Sequence, residues 1–159
     1  TFKGLFSPVC VFDTFGPHHR YTFAPLTLSQ WPGQAASEWD LDMIPLQYFL
    51  FPNTIISVGS TSPTGSAANV HNIHPHAVGH FASHLSYIAL GGVRSAEHKA
   101  EIDGAYARTR AALVDEDYSV AGESWSGFAA LPPGTTMPVG RQEIGVQNFH
   151  ENVRRYTAA

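Results

Sequence analysis

The chain has 159 residues, 43% hydrophobic and 14% charged, with a net charge of −4 when histidine is neutral. That size fits one domain with a proper core, and the acidic balance leaves no basic footprint for nucleic acid. No apolar run approaches the roughly 18–20 residues of a membrane span, there is no cleavable signal pattern, and the single Cys10 excludes an internal disulfide and fits a reducing, cytoplasmic setting.

In chain order, Val9 to Phe15 is short, apolar and rich in β-branched residues, the pattern of a strand. Gly16-Pro17 punctuates it, and Arg20 to Leu26 reads as the next strand. Residues 29 to 43 carry no clear period and read as a loop, with a short helix around Ala35 to Trp39. Ile44 to Phe51 and Thr54 to Gly59 are two strands joined at Pro52-Asn53. Ser60 to Ala67 reads as a loop. Asn69 to Pro75 and Phe81 to Leu90 are two further strands around a turn at Val78-Gly79. Six strands with short links form the pattern of an antiparallel meander.

The period then changes. Ser95 is an N-cap candidate, and Ile102, Ala105, Tyr106, Thr109, Ala112 and Leu113 recur at helical spacing. A second helix is expected from about Asp115 to Phe128, with Tyr118, Ala121, Trp125, Phe128 and Ala129 on one stripe. Pro132-Pro133-Gly134 ends it. A third is expected from about Gln142 to Tyr156, with Val146, Phe149, His150, Val153 and Tyr156 on one face and Arg154 and Arg155 suiting the dipole of its last turn. The fold class is therefore α+β, an antiparallel sheet followed by helices packed on it.

Four segments carry a resemblance. They are Gly16-Pro17-His18-His19-Arg20; Tyr48-Phe49-Leu50-Phe51-Pro52-Asn53; Glu116-Asp117 with Gly127-Phe128; and Gly140-Arg141 with Glu143 and Asn148-Phe149-His150. In order and spacing, over roughly residues 12 to 157, the chain resembles the catalytic domain of the α subunit of Rieske-type aromatic-ring-hydroxylating oxygenases. The resemblance implies a helix-grip fold, a curved sheet wrapped around a long C-terminal helix with a cavity between them. It implies a mononuclear non-haem Fe(II) held by two histidines and one carboxylate, with positions left open for O₂ and substrate. Asp117, ten residues ahead of Gly127, matches the family's carboxylate; Trp125 stands where the family often has Gln. It also implies a 2Fe-2S Rieske cluster, a ferredoxin or reductase as electron donor, an aromatic substrate and a homotrimer or α3β3 assembly.

Nothing before Phe12 supplies the family's pair of histidine ligands, and Cys10 alone cannot supply the cluster ligands. Residues 1–159, which lack an initiator Met, are thus expected to be one partial catalytic domain that begins after those ligands and is inactive alone. The alternative is a stand-alone helix-grip module that binds an apolar small molecule without metal. A third reading is a metal site among His71, His74, His76, His80 and His84.

Each candidate residue also has a plainer reading. Asp117 could serve only as a helix-start carboxylate, with Asp115 and Glu116 as better caps. His18 and His19 point to opposite faces of a strand and read as a turn or rim pair. The five later histidines read as surface or pocket-lining imidazoles. Phe49, Phe51, Ile56, Tyr87, Trp125, Phe128 and Phe149 could line a cavity or fill an ordinary core. Asn148 and His150 read as helix-surface residues, and Glu143 as a first-turn acid.

Overall fold

A computed structural model describes residues 9–25, 28–29, 31–39, 44–62 and 65–158. Six strands run β1 (Cys10–Phe15), β2 (His18–Phe23), β3 (Leu46–Leu50), β4 (Thr54–Ser62), β5 (Gly65–Ala77) and β6 (His80–Ala89). They form one sheet in the order β1-β2-β3-β4-β5-β6, every neighbour antiparallel, which is the expected meander. Leu26, residues 40–43 and residues 63–64 of the predicted elements lie outside the described residues.

The predicted loop over 60–67 is largely strand. Backbone pairing resumes at Thr61↔Ser66 and Ser62↔Gly65 after a bulge beyond Val58, so β4 and β5 each continue into it. Backbone ladders do not require an apolar side-chain pattern, and small polar residues hid this one. β5 also outruns its predicted end. A second irregularity between Pro75 and Ala77 lets the strand continue past a proline that cannot donate to the ladder.

The helices follow. α1 (Ala96–Ala112) is capped by Ser95, whose hydroxyl accepts the His98 N–H at 3.0 Å. The chain does not break there. A π-helical segment spans Leu113–Asp117, with the Tyr118 N–H reaching back to the Leu113 carbonyl, and α2 (Tyr118–Ala129) continues from it. The expected helix start at Asp115 is thus absent, and Asp117, at the junction with α2, makes no side-chain cap. With no Gly or Pro among residues 113–117, nothing stops the helix. The turn widens there instead, and the helix carries on into α2. α3 (Ile144–Thr157) starts two residues later than expected, because Glu143 folds back to accept the Gly140 N–H. The short helix near residues 35–39 is a single 3₁₀ turn, Ala36–Glu38.

The helices share one face of the sheet. α3 lies over β2 and β3, where Phe149 packs edge-on against Phe49 at 5.7 Å between ring centres. α1 and α2 lie over β5 and β6, through Tyr87–Thr109 and Phe81–Tyr118. This is the helix-grip arrangement. Strand register fixes which side chains face the helices. One inward row runs His19–Phe49–Ile55–His71–Leu85 across β2 to β6. Among the described residues the only buried apolar side chains are Ala68 and Ala112. The space between sheet and helices is hollow where a packed core would otherwise lie.

Candidate functional site

That hollow is a cavity of about 1230 Å³, above the ~300–1,000 Å³ usual for small-molecule sites. Its floor includes His19, Phe49, Ile55 and Ile73. Val146, Phe149 and Val153 of α3 form one wall, and Tyr118, Ala121 and Trp125 of α2 the other. The predicted stripes of both helices therefore meet across the cavity. Trp125 sits directly over Gly79, where a Cβ would lie 2.6 Å from the indole nitrogen, so the β5–β6 turn and α2 close on each other.

Of the predicted lining residues, Phe49, Trp125 and Phe149 face the cavity. Ile56 does not. It pairs with Tyr48 on the opposite face of the sheet, and its neighbour Ile55 takes the inward place. Phe51 backs Phe149 and stacks on Tyr156 without lining the space, Tyr87 turns to Thr109 of α1, and Phe128 is exposed. The histidines divide between the cavity side and the open side of the sheet. His71 is buried on the inner face, His80 lines the cavity, and His74 and His84 face each other in the open with ring centres 6.5 Å apart.

His18 and His19 do point to opposite faces, but they are not a rim pair. His18 Nδ1 accepts the Phe51 N–H at 3.0 Å, while His19 is 6% exposed and stacks on Phe49 at 4.9 Å. Asn148 is not a surface residue either. Its amide nitrogen donates to the Pro17 carbonyl at 3.3 Å and meets His19 Nδ1 at 3.4 Å, and its Oδ1 accepts from Asn152. His150 is exposed. Beside His19, Tyr21 Oη accepts the Gly145 N–H at 3.2 Å. Burial lowers the pKa of His19 and raises that of Tyr21, partly countered in Tyr21 by the Gly145 hydrogen bond. Both rings are therefore held in their neutral forms.

Further along the same inward row, His71 Nε2 lies 2.7 Å from Ser83 Oγ and 2.8 Å from Tyr118 Oη, and Tyr118 Oη donates to Ser83. Burial lowers the His71 pKa, and the negative charge of Asp117 works against that shift. Asp117 is exposed, ends the π-helical segment, and has no hydrogen-bond or ion-pair partner among the described residues. Helix continues on both sides of it, so the helix-start role does not apply.

Sequence patterning missed Tyr21, Ser83 and Gly145. The signal for Tyr21 was present, since it shares strand parity with His19. Ser83 and Gly145 carried none, because each matters through what stands opposite it. Among the described residues, no group of three or more His, Cys, Asp or Glu side chains is placed to hold a metal ion. No helix among them is long and apolar enough to cross a membrane.

Residues 6–159 match the family described as the ring-hydroxylating α subunit (catalytic domain). The chain belongs to that family, whose members are oxygenases that act on aromatic rings and generally bind non-haem iron. Comparison with curated proteins and with solved structures returns no match.

Proposed function

We propose that this chain is part of the α subunit of a Rieske-type ring-hydroxylating oxygenase and supplies its substrate cavity and the carboxylate ligand, Asp117, of its mononuclear iron. The observation that carries this is the position of an unpaired carboxylate. It sits where the helix widens into a π turn, one residue before Tyr118, which lines an apolar cavity. π turns recur at functional sites, and a carboxylate without protein partners is free to take a cation. Asp117 fits the ligand role in that respect. The described residues do not complete a ligand set, so the two histidines and the 2Fe-2S cluster are assigned to residues outside them.

When bound, the iron would supply O₂ activation at its open positions. The chain's own residues bind and orient the guest. Phe49 and Phe149 offer ring faces and edges for stacking, Ile55, Ile73 and Val153 exclude water, and Trp125 closes the wall over the β5–β6 turn. His71, Ser83 and Tyr118 tie β5 and β6 to the first turn of α2 and so fix the approach of Asp117 to the floor. The reaction class is O₂-dependent hydroxylation or demethylation of an aromatic guest. Electrons would come from a ferredoxin or reductase, in a homotrimer or α3β3 assembly.

The test is Asp117→Ala in the full-length α subunit, read by iron content, far-UV circular dichroism and binding of naphthalene. The variant is expected to lose mononuclear iron while keeping its circular dichroism and naphthalene affinity. Full retention of iron would remove Asp117 from the ligand set. Naphthalene binding by a full-length protein whose only iron is in the cluster would favour the metal-free binding module instead.

A further inference from the structure

One end of the cavity is chemically unlike the rest. α3 carries Gly145 in its first turn, buried, where alanine would be the better helix former. A Cβ at that position would run into Tyr21 Oη and come within 3.1 Å of His19 Nε2. The missing side chain leaves a notch in the cavity wall, and His19, Tyr21 and Gly145 all line the cavity.

The hydrogen bonds around the notch determine what it presents. The Pro17 carbonyl can only accept, so the group that Asn148 turns toward it is the amide NH₂. Asn152 donates to Asn148 Oδ1, which holds the amide the same way round. The same NH₂ meets His19 Nδ1, which must therefore accept, leaving the proton on Nε2. Nε2 has no partner among the described residues. Tyr21 Oη already accepts from the Gly145 N–H, so its own hydrogen is free to donate. The notch thus holds two donors, the N–H of a buried ring and the O–H of a half-buried one, with no protein acceptor among the described residues.

We infer that the Gly145 notch is a subsite for an uncharged acceptor oxygen, the carbonyl of an aryl ketone or aldehyde, carried at one end of the aromatic guest. This rests on reading the cavity as the aromatic substrate site. Two donors converging on one point match the two lone pairs of a carbonyl oxygen. The lining includes no Lys or Arg among its residues, and an anionic carboxylate would be desolvated there without a countercharge. The subsite also orients the guest. His19 and His71 stand three strands apart in the same inward row, roughly 14 Å at strand spacing. Phe49 and Ile55 lie between them. A carbonyl anchored at His19 and Tyr21 directs the opposite end of the ring system toward Tyr118 and Asp117.

The experiment compares two guests of the same shape, acetylnaphthalene and isopropenylnaphthalene, with naphthoate as the charged control. Binding to the full-length protein is titrated by fluorescence, and the carbonyl stretch of the bound ketone is read by infrared difference spectroscopy. The ketone is expected to bind about tenfold more tightly than the alkene, since an acceptor satisfies donors that the alkene leaves unpaired. Its carbonyl stretch should move to lower frequency on binding. Tyr21→Phe and His19→Phe keep the rings and are each expected to bring the two guests to within about threefold, chiefly by weakening the ketone, and to partly reverse the stretch shift. Gly145→Ala should weaken the ketone selectively. Equal affinity for ketone and alkene in the unmodified protein would overturn the subsite while leaving the cavity reading intact. Binding of neither would overturn both. Tighter binding of naphthoate than of the ketone would overturn the assignment to an uncharged group.

Discussion

The two ends of the sheet are gripped by different means. Over β2 and β3, α3 is held by rings, with Phe149 against Phe49 and Phe51, Tyr156 on Phe51, and an amide ladder from Asn152 through Asn148 to His19. Over β5 and β6, the α1–α2 rod adds hydroxyl bonds to its ring contacts, Phe81 on Tyr118 and Tyr87 on Tyr106. Tyr118 bonds to His71 and Ser83, and Tyr87 to Thr109 at 2.6 Å. Aromatic packing stabilises in proportion to the area it hides, whereas a hydroxyl bond adds little net stability but fixes an angle and a distance. The difference separates two tasks. The α3 side is expected to contribute the larger share of stability, and the α2 side to hold the wall next to Asp117 in place.

Substitutions can break that contrast. The largest loss is expected at Phe149→Ala. Removing a half-buried ring that meets two others should cost about 2–3 kcal/mol in denaturant unfolding, at or below the low end for phenylalanine truncation because the ring also borders an open cavity. Tyr118→Phe should cost less, about 1 kcal/mol, because His71 and Ser83 keep each other as partners. Equal losses at the two sites would erase the division of labour proposed above.

The smallest effect is one of pH. Burial places the pKa of His19 below its ordinary 6.5. The unfolded chain therefore takes up this proton first as pH falls, and the folded state loses stability from about pH 6.5 down to the lower folded value. Above that window His19 contributes no pH dependence. His71 is shifted in the same direction. Thermal melts between pH 7.5 and 5 should show a falling midpoint, and His19→Phe should make the fall shallower. An unchanged slope in that variant would show that His19 is not held neutral by burial.

Much of this was legible in the sequence. Short apolar and β-branched runs between turn residues placed the six strands, and parity sent His18 and His19 to opposite faces. The stripes of α2 and α3 named apolar faces that both border the cavity, and Asp117 was singled out only through the family resemblance and its spacing to Gly127. Ile55 and Ile56 could not be separated, because both are apolar and only strand pairing decides which one faces in. Gly145 could not be read at all. Its significance is a void, and a void is defined by Tyr21 and His19, more than 120 residues away in the chain. The pairing of residues 61–62 with 65–66 was missed because small polar residues carry no apolar pattern there.

The π-helical turn at Leu113–Asp117 makes the chain unusually tolerant of length at that one place. An α-helix advances about 100° per residue, and the wide turn accommodates one residue more than an α-helical turn would. Deleting a single residue there would let the rod close into uninterrupted α-helix with everything after it still in phase. Deleting one from the α-helical part of α1 would instead swing Tyr118, Ala121 and Trp125 off the cavity together, although no side chain lining it had been changed. The aim of α2 is thus encoded as a residue count within the rod, separately from the identity of the groups it carries.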